Sequence, residues 1–135
     1  MPNYRFVVLE GTWAVARLSP TVPVPPWALA PSAFVSITRS HDELSIVCPE
    51  HYAPKGTDLQ GGWSVIKLLG PFPVSQTGVL ASFAFPLAAH GISIFATSTF
   101  DTDYILVKTT ALAKACDALK RSGHELTPRV GSRAY

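Results

Sequence analysis

A chain of 135 residues with a formal charge of +2 has room for one domain or for two small subdomains sharing a core, since folded units typically run to about 100–150 residues. That charge is too small to imply a nucleic-acid partner, no apolar run is long enough to span a bilayer, and the start Met-Pro-Asn-Tyr-Arg lacks a secretory pattern, so the expected setting is cytoplasmic with no membrane partner. Hydrophobic residues are 47% and charged residues 15% of the chain, against roughly 25% charged in ordinary soluble domains, so a second copy is expected to cover part of the surface, as in a homodimer.

Residues 4–9 are β-rich, Glu10 and Gly11 turn, and in 12–18 Trp13, Val15 and Arg17 alternate with Ala14, Ala16 and Leu18. This is the pattern of a hairpin. Pro20, Pro23, Pro25, Pro26 and Pro31 then exclude a ladder or a long helix, leaving at most one helical turn around Pro26-Trp27-Ala28-Leu29, with Trp27 and Leu29 as anchors. A second hairpin follows, with strands at 33–38 and 44–48 joined by Ser40-His41-Asp42-Glu43. Residues 50–62 are polar, with Pro54, Gly56, Gly61 and Gly62, and mark the boundary between two halves.

After a strand at 63–69, the loop Gly-Pro-Phe-Pro-Val-Ser-Gln-Thr-Gly (70–78) feeds a helix over 79–90. Leu80, Phe83, Ala84, Leu87 and Ala88 form its expected buried stripe, Pro86 is expected to kink it, and His90-Gly91 stops it. Strand-like runs at 92–99 and 104–108 flank the turn Phe100-Asp101-Thr102-Asp103. A second helix over 110–122 has Leu112, Ala115, Cys116 and Leu119 on one stripe, Lys120 and Arg121 in its last turn and Gly123 beyond it. A short strand at 124–126 precedes a tail at 128–135 expected to be flexible.

From 64 onward the order is therefore βαββαβ. Residues 34–47 and 92–107 repeat a strand, acidic turn and strand, with the helix of the first half reduced to the proline loop. The fold class is α+β and ferredoxin-like, with two such subdomains packed side by side.

Enzyme chemistry finds little support in the residues. Cys48 and His51 lie close in sequence, but Cys48 ends an apolar strand and has no orienting partner; Cys48 and Cys116 read as small buried hydrophobes rather than a disulfide. His41, Asp42 and Glu43 offer too few ligands for a metal, and phosphate-loop, dinucleotide and zinc spacings are lacking, so neither a metal nor a cofactor is expected. An RNA-binding sheet would need exposed aromatics in a basic surround, whereas these strands carry Ile94, Ala96, Ile105 and Val107.

The loop and the turn are the candidate site. The helix start offers free backbone N–H groups near Thr77, Gly78 and Val79 suited to a carboxylate, and Asp103 could hold an ammonium. Gly78 either admits close backbone approach or relieves the turn; Asp101 and Asp103 either meet a ligand or cap the turn.

The loop 70–78, Pro86-Leu87-Ala88, Gly91-Ile92-Ser93-Ile94 and the run 98–107 together resemble an ACT domain. They are most similar to the ACT units of bacterial aspartate kinases and of the cytosolic arginine sensor of animals. The resemblance covers about 63–126 well and 34–50 less well. It implies a degenerate ACT-like subdomain over 1–60, an ACT domain over 61–127, and non-catalytic sensing of an amino acid or related metabolite, the alternative being a structural module for oligomerisation. It places the ligand against Ser75, Gln76, Thr77, Gly78 and Val79 on the loop and Thr99, Phe100 and Asp103 on the turn. Arginine sensors carry an acidic side chain where this chain has Gln76, which removes one anchor for a cationic ligand. The lack of a kinase segment implies a free-standing sensor.

Overall fold

The computed structural model describes residues 3–30 and 33–128; the rest of the expected flexible tail, from 129, lies outside the described residues. Two compact units emerge. One takes the chain as far as Glu10 and resumes at Ser64, and the other is Gly11–Trp63. A division at 60/61 was the expectation from sequence; the first ten residues instead join the C-terminal unit, because Phe6 is buried in its core with Ile66, Phe83 and Ile105.

In the C-terminal unit the strands are β1 (Arg5–Val8), the later part of β5 (Leu59–Leu68), β6 (Phe95–Ser98), β7 (Asp103–Lys108) and β8 (Glu125–Leu126), with helices α1 (Val79–Ala89) and α2 (Leu112–Arg121). From β5 onward the order is βαββαβ, as the sequence predicts, in an α+β fold. The strand order is β6-β7-β5-β1-β8. Strand β1 lies between the first and last strands of that motif, antiparallel to β5 with Phe6 opposite Leu68 and parallel to β8 with Arg5 opposite Glu125. Residues 4–18 are therefore not a hairpin: β1 pairs with β5 and β8, while β2 (Trp13–Leu18) pairs with β4 (Leu44–Pro49) and β5. Alternation of side chains sends Ile66 and Leu68 from β5, and Ile105 and Val107 from β7, into one core with Phe83, Leu87, Ala115 and Leu119 of the helices.

Helix α1 buries Val79, Ser82, Phe83, Pro86 and Leu87, while Ala88 is exposed, so its inward face is turned from the predicted stripe. The helix is apolar on nearly every side, and such a sequence does not fix which side faces in. A local bond does. Pro86 has no N–H, so the Ser82 carbonyl four residues earlier loses its helical donor. The buried His124 ring supplies the replacement: its Nε2 lies 2.9 Å from Ser82 O, while its Nδ1 accepts from the Tyr4 N–H at 3.1 Å. With Nδ1 accepting, Nε2 carries the proton and donates. The ring also stacks on Phe83, with centroids 4.0 Å apart.

The N-terminal unit has strand order β3-β4-β2-β5, using β3 (Ser36–Arg39) and the first part of β5. The β3–β4 hairpin forms as expected, with Ile37 opposite Ile46. The single helical turn expected in the proline stretch is a 3-10 turn at Pro26–Leu29. Strand β5 starts at Leu59, inside the segment read from sequence as the boundary between two halves, and runs through Gly61 and Gly62. Gly62 holds φ +77°, a conformation that favours glycine, and donates its N–H to Glu50 Oε1 at 2.8 Å, while a Cβ on Gly61 would lie 2.3 Å from that oxygen.

His124→Phe keeps a flat ring but leaves the Ser82 carbonyl and the Tyr4 N–H without their bonds. Stability measured by urea unfolding should fall by about 2–4 kcal/mol, since each stranded buried polar group costs about 1–3 kcal/mol. A change under about 0.5 kcal/mol would show that packing, not these two bonds, fixes α1.

Candidate functional site

Residues 70–78 connect β5 to α1 through a fixed path rather than a free coil. The Gly70–Pro71 peptide is cis. Phe72 donates its N–H to Asp101 O at 2.8 Å, Gln76 donates its N–H to Pro73 O at 2.9 Å, and the Gln76 side-chain amide donates to the Tyr4 hydroxyl at 3.1 Å. Phe72 meets Tyr4 edge to face at 5.4 Å. A Cβ on Gly70 would stand 2.8 Å from Phe72 N and 3.1 Å from Asp101 O, so only glycine fits where the loop crosses the turn.

The opposing turn is closed by hydroxyls. The Thr99 N–H donates to Thr102 O at 2.8 Å, the Thr99 hydroxyl accepts the Thr102 N–H at 3.3 Å, and the buried Thr102 hydroxyl donates to Leu68 O at 2.6 Å. Threonine thus performs the capping considered for the aspartates. Asp103 accepts from the Ser98 hydroxyl instead, and Asp101 remains exposed.

Between loop and turn lies a cavity of about 310 Å³. Of the residues singled out from sequence, Gln76, Gly78, Val79, Thr99, Phe100 and Asp103 line it; Ser75 and Thr77 are exposed and do not. Leu80, Ala81, Ser98 and Asp101 line it too. The first two follow directly from the helix start, Asp101 was visible as a turn carboxylate, and Ser98 opens the run 98–107 that carries the family resemblance. Val74 and Phe100, 77% and 84% exposed, form an apolar lip.

The two sides differ in charge. Gly78 holds φ +81° with no side-chain cap, and the first N–H satisfied inside α1 is that of Ser82, bonded to Gly78 O at 3.0 Å. Val79, Leu80 and Ala81 precede it, where a helix leaves its N–H groups free and its dipole is positive. Opposite stand Asp101 and Asp103, the only ionisable side chains lining the cavity among the described residues. Asp101 makes its field felt at Lys67 and Tyr104, a neighbouring pair in which the Lys67 ammonium lies 5.8 Å from the Tyr104 ring centre. Burial lowers the Lys67 pKa while Asp101 works against it, and burial, with Asp101 adding to it, raises that of Tyr104. The cavity therefore offers donors at one end and carboxylates at the other.

A family model described as ACT domain matches residues 58–121, the stretch that builds this cavity's loop, helix and turn. The chain carries an ACT domain. A second model, for an N-terminal domain, matches residues 11–56. A protein from Agrobacterium tumefaciens is 40% identical to this ACT protein, with all of both chains covered and a TM-score of 0.90. A possible transport protein of Vibrio cholerae is 21% identical, covering 89% of this chain and 90% of its own, with a TM-score of 0.71. The regulatory subunit of aspartate kinase from Thermus thermophilus shares the fold at 11% identity and a TM-score of 0.58, over 84% of this chain and 93% of that one. Among curated protein sequences none matches.

Cys48, once considered as a nucleophile, is buried, and burial pushes its thiol up to about 11. His51 is exposed and packs edge to face on Tyr52 at 5.0 Å.

Substitutions at the two glycines should separate a crossing point from a strained turn. Gly70→Ala forces the loop off the turn and should cost about 2–3 kcal/mol, with loss of the Phe72 amide's hydrogen-exchange protection. Gly78→Ala meets open space and only the strain of positive φ, so about 1 kcal/mol is expected in the same unfolding measurement. Equal costs would contradict the distinction.

Proposed function

We propose that this ACT protein is a non-catalytic sensor that binds a small zwitterionic metabolite, an amino acid or a close relative, in the cavity between residues 72–81 and 98–103. The observation that carries the reading is the polarity of that cavity, with the amino end of α1 on one side and Asp101 and Asp103 on the other. An α-carboxylate would accept from the N–H groups of Val79 to Ala81, as anions do at helix starts. The α-ammonium would sit at Asp103, whose second oxygen is not the one bonded by Ser98. Gly78, with nothing within 4 Å of its missing Cβ, leaves room for the ligand's backbone-side atoms. Ser75 and Thr77 would act through the shape of the loop rather than by contact. The raised pKa of Cys48 fits the absence of thiol chemistry in this reading, and free thiols at Cys48 and Cys116 suit a reducing compartment, the cytoplasm.

Assembly as a homodimer is part of the proposal. Phe85 on α1 is 72% exposed on a helix apolar nearly all round, and Phe100 is more exposed still. Such surface favours a partner copy. Sedimentation at micromolar concentration should show a dimer, and Phe85→Ser should shift it toward monomer; a parent protein that is monomeric throughout would remove the dimer from the proposal.

The site is tested by thermal shift against the amino acids. A true ligand at one hundred times its dissociation constant should add about 2.7 kcal/mol. Asp103→Asn preserves the oxygen that Ser98 bonds while removing the charge, so folding should change by less than about 1 kcal/mol while affinity falls by about 1–3 kcal/mol. Unchanged affinity in that variant would make the turn structural. The absence of any shift across the panel would favour the alternative of an assembly module.

A further inference from the structure

Among the described residues, His124 and Cys48 are the only ionisable side chains that are buried, and His124 has both ring nitrogens in use. Its partners fix its proton count. Nδ1 faces the Tyr4 N–H, which can only donate, so Nδ1 is bare; Nε2 faces Ser82 O, which can only accept, so Nε2 carries the proton. The neutral ring satisfies both partners, and a doubly protonated ring cannot. A proton on Nδ1 would set two donors against each other at 3.1 Å and would place a charge in the interior, on a ring 5% exposed. The carbonyls nearest to it are already engaged: Tyr4 O accepts the Glu125 N–H at 2.9 Å, and Leu119 O accepts the N–H groups of Ser122 and His124 at 3.2 and 3.1 Å.

The surroundings do little to offset such a charge. Helix α1 has no ionisable side chain between Val79 and Ala89, and the loop at 70–78 has none. Strand β1 brings the Tyr4 phenol, whose ring stacks on the imidazole at 6.0 Å, and the exposed Arg5. Strand β8 brings Glu125, exposed and opposite Arg5 in register. Helix α2 brings Cys116, whose thiol is pushed up by burial, and the exposed Asp117, Lys120 and Arg121, of which Asp117 and Arg121 pair with each other at 3.2 Å. Among the described residues no carboxylate is hydrogen-bonded to the ring, and the exposed ones act through screening water.

Tyr4 passes the state of the ring on to the loop. Its N–H is the group that a proton on Nδ1 would expel, its hydroxyl accepts the Gln76 side-chain amide at 3.1 Å, and its ring meets Phe72 edge to face at 5.4 Å. We propose that His124 is an acid-sensitive latch. With its ring neutral it ties Tyr4 to α1; a proton on Nδ1 releases Tyr4 and, with it, the Gln76 anchor of the loop that walls the cavity. The latch rests on bonds within the free protein and not on what the cavity binds. An imidazole in water gains its second proton near about pH 6.5. As the pH falls the unfolded chain takes up that proton and the latched ring does not, so the latch's contribution to stability is complete above about pH 6.5 and is lost progressively below it.

Urea unfolding of the parent and of His124→Gln at about pH 7.5 and about pH 5 isolates this ring, because His41, His51 and His90 are common to both proteins. A glutamine amide can accept from the Tyr4 N–H and donate to Ser82 O, and it does not titrate. Between the two pH values the unfolding equilibrium constant of the parent should rise about 30-fold more than that of the variant, the factor for one proton bound by the unfolded chain alone. Nitrogen NMR of the labelled parent gives a second reading, which decides alone should the variant fail to fold. His124 should keep a bare Nδ1 for as long as the Tyr4 amide holds its folded position, and the Tyr4 amide and the Gln76 side-chain amide should move together as acid is added. The same pH dependence in parent and variant would overturn the proposal. So would a His124 ring that takes its second proton with the Tyr4 amide unmoved, or a Tyr4 transition that leaves the Gln76 amide in place.

Discussion

A carbonyl without a helical donor sits at the centre of the C-terminal unit. Pro86 takes away the N–H that Ser82 O would receive, and the imidazole of His124 restores it while its other nitrogen holds the Tyr4 N–H. Three separate parts of the chain are thereby fixed to one ring: the middle of α1, the strand entering at β1, and the segment leaving α2. The alternative, a buried carbonyl left unpaired, would cost about 1–3 kcal/mol, so the ring selects the rotation of an otherwise undirected apolar helix. Because the start of α1 is the donor end of the cavity, the arrangement at His124 also sets where those N–H groups point.

The same logic of replaced partners governs the loop and the turn facing it. Phe72 takes a carbonyl of the turn, Thr102 takes a carbonyl of β5, and Gln76 reaches Tyr4, so the cavity walls are bound to the sheet rather than to each other alone. A site held this way can present carboxylates at Asp101 and Asp103 without their being consumed in turn capping. The electrostatic asymmetry of the cavity follows from that division of labour between threonine and aspartate.

Much of this was legible in the chain. Acidic turns flanked by β-branched runs gave away both hairpins, and Lys120, Arg121 and Gly123 marked the end of α2, where Gly123 indeed adopts φ +99°. The Gly- and Pro-rich loop before α1 pointed to a stretch that lines a cavity, because those residues serve a backbone path. What stayed hidden depended on distant partners. The pairing of β1 with β5 and β8 has no local signature, so it read as half of a hairpin. Gly61 and Gly62 read as part of a boundary, because nothing nearby in sequence shows that the Glu50 carboxylate stands against Gly61 or that Gly62 turns to positive φ within a strand. The burial of Pro86 and His124 was equally invisible, each making sense only beside the other.

The position of β1 also has a bearing on how the polypeptide acquires its shape during synthesis. Tyr4 and His124 are 120 positions apart, and β1 leaves the ribosome long before its neighbour β8. The unit Gly11–Trp63 has its strands complete by mid-chain and can close while translation continues. The ACT unit cannot, since a central strand of its sheet waits unpaired for residues not yet made. Loop closure over such a span is slow and leaves apolar strand edges uncovered meanwhile, so the nascent chain's dependence on holding factors should be concentrated in its first ten residues.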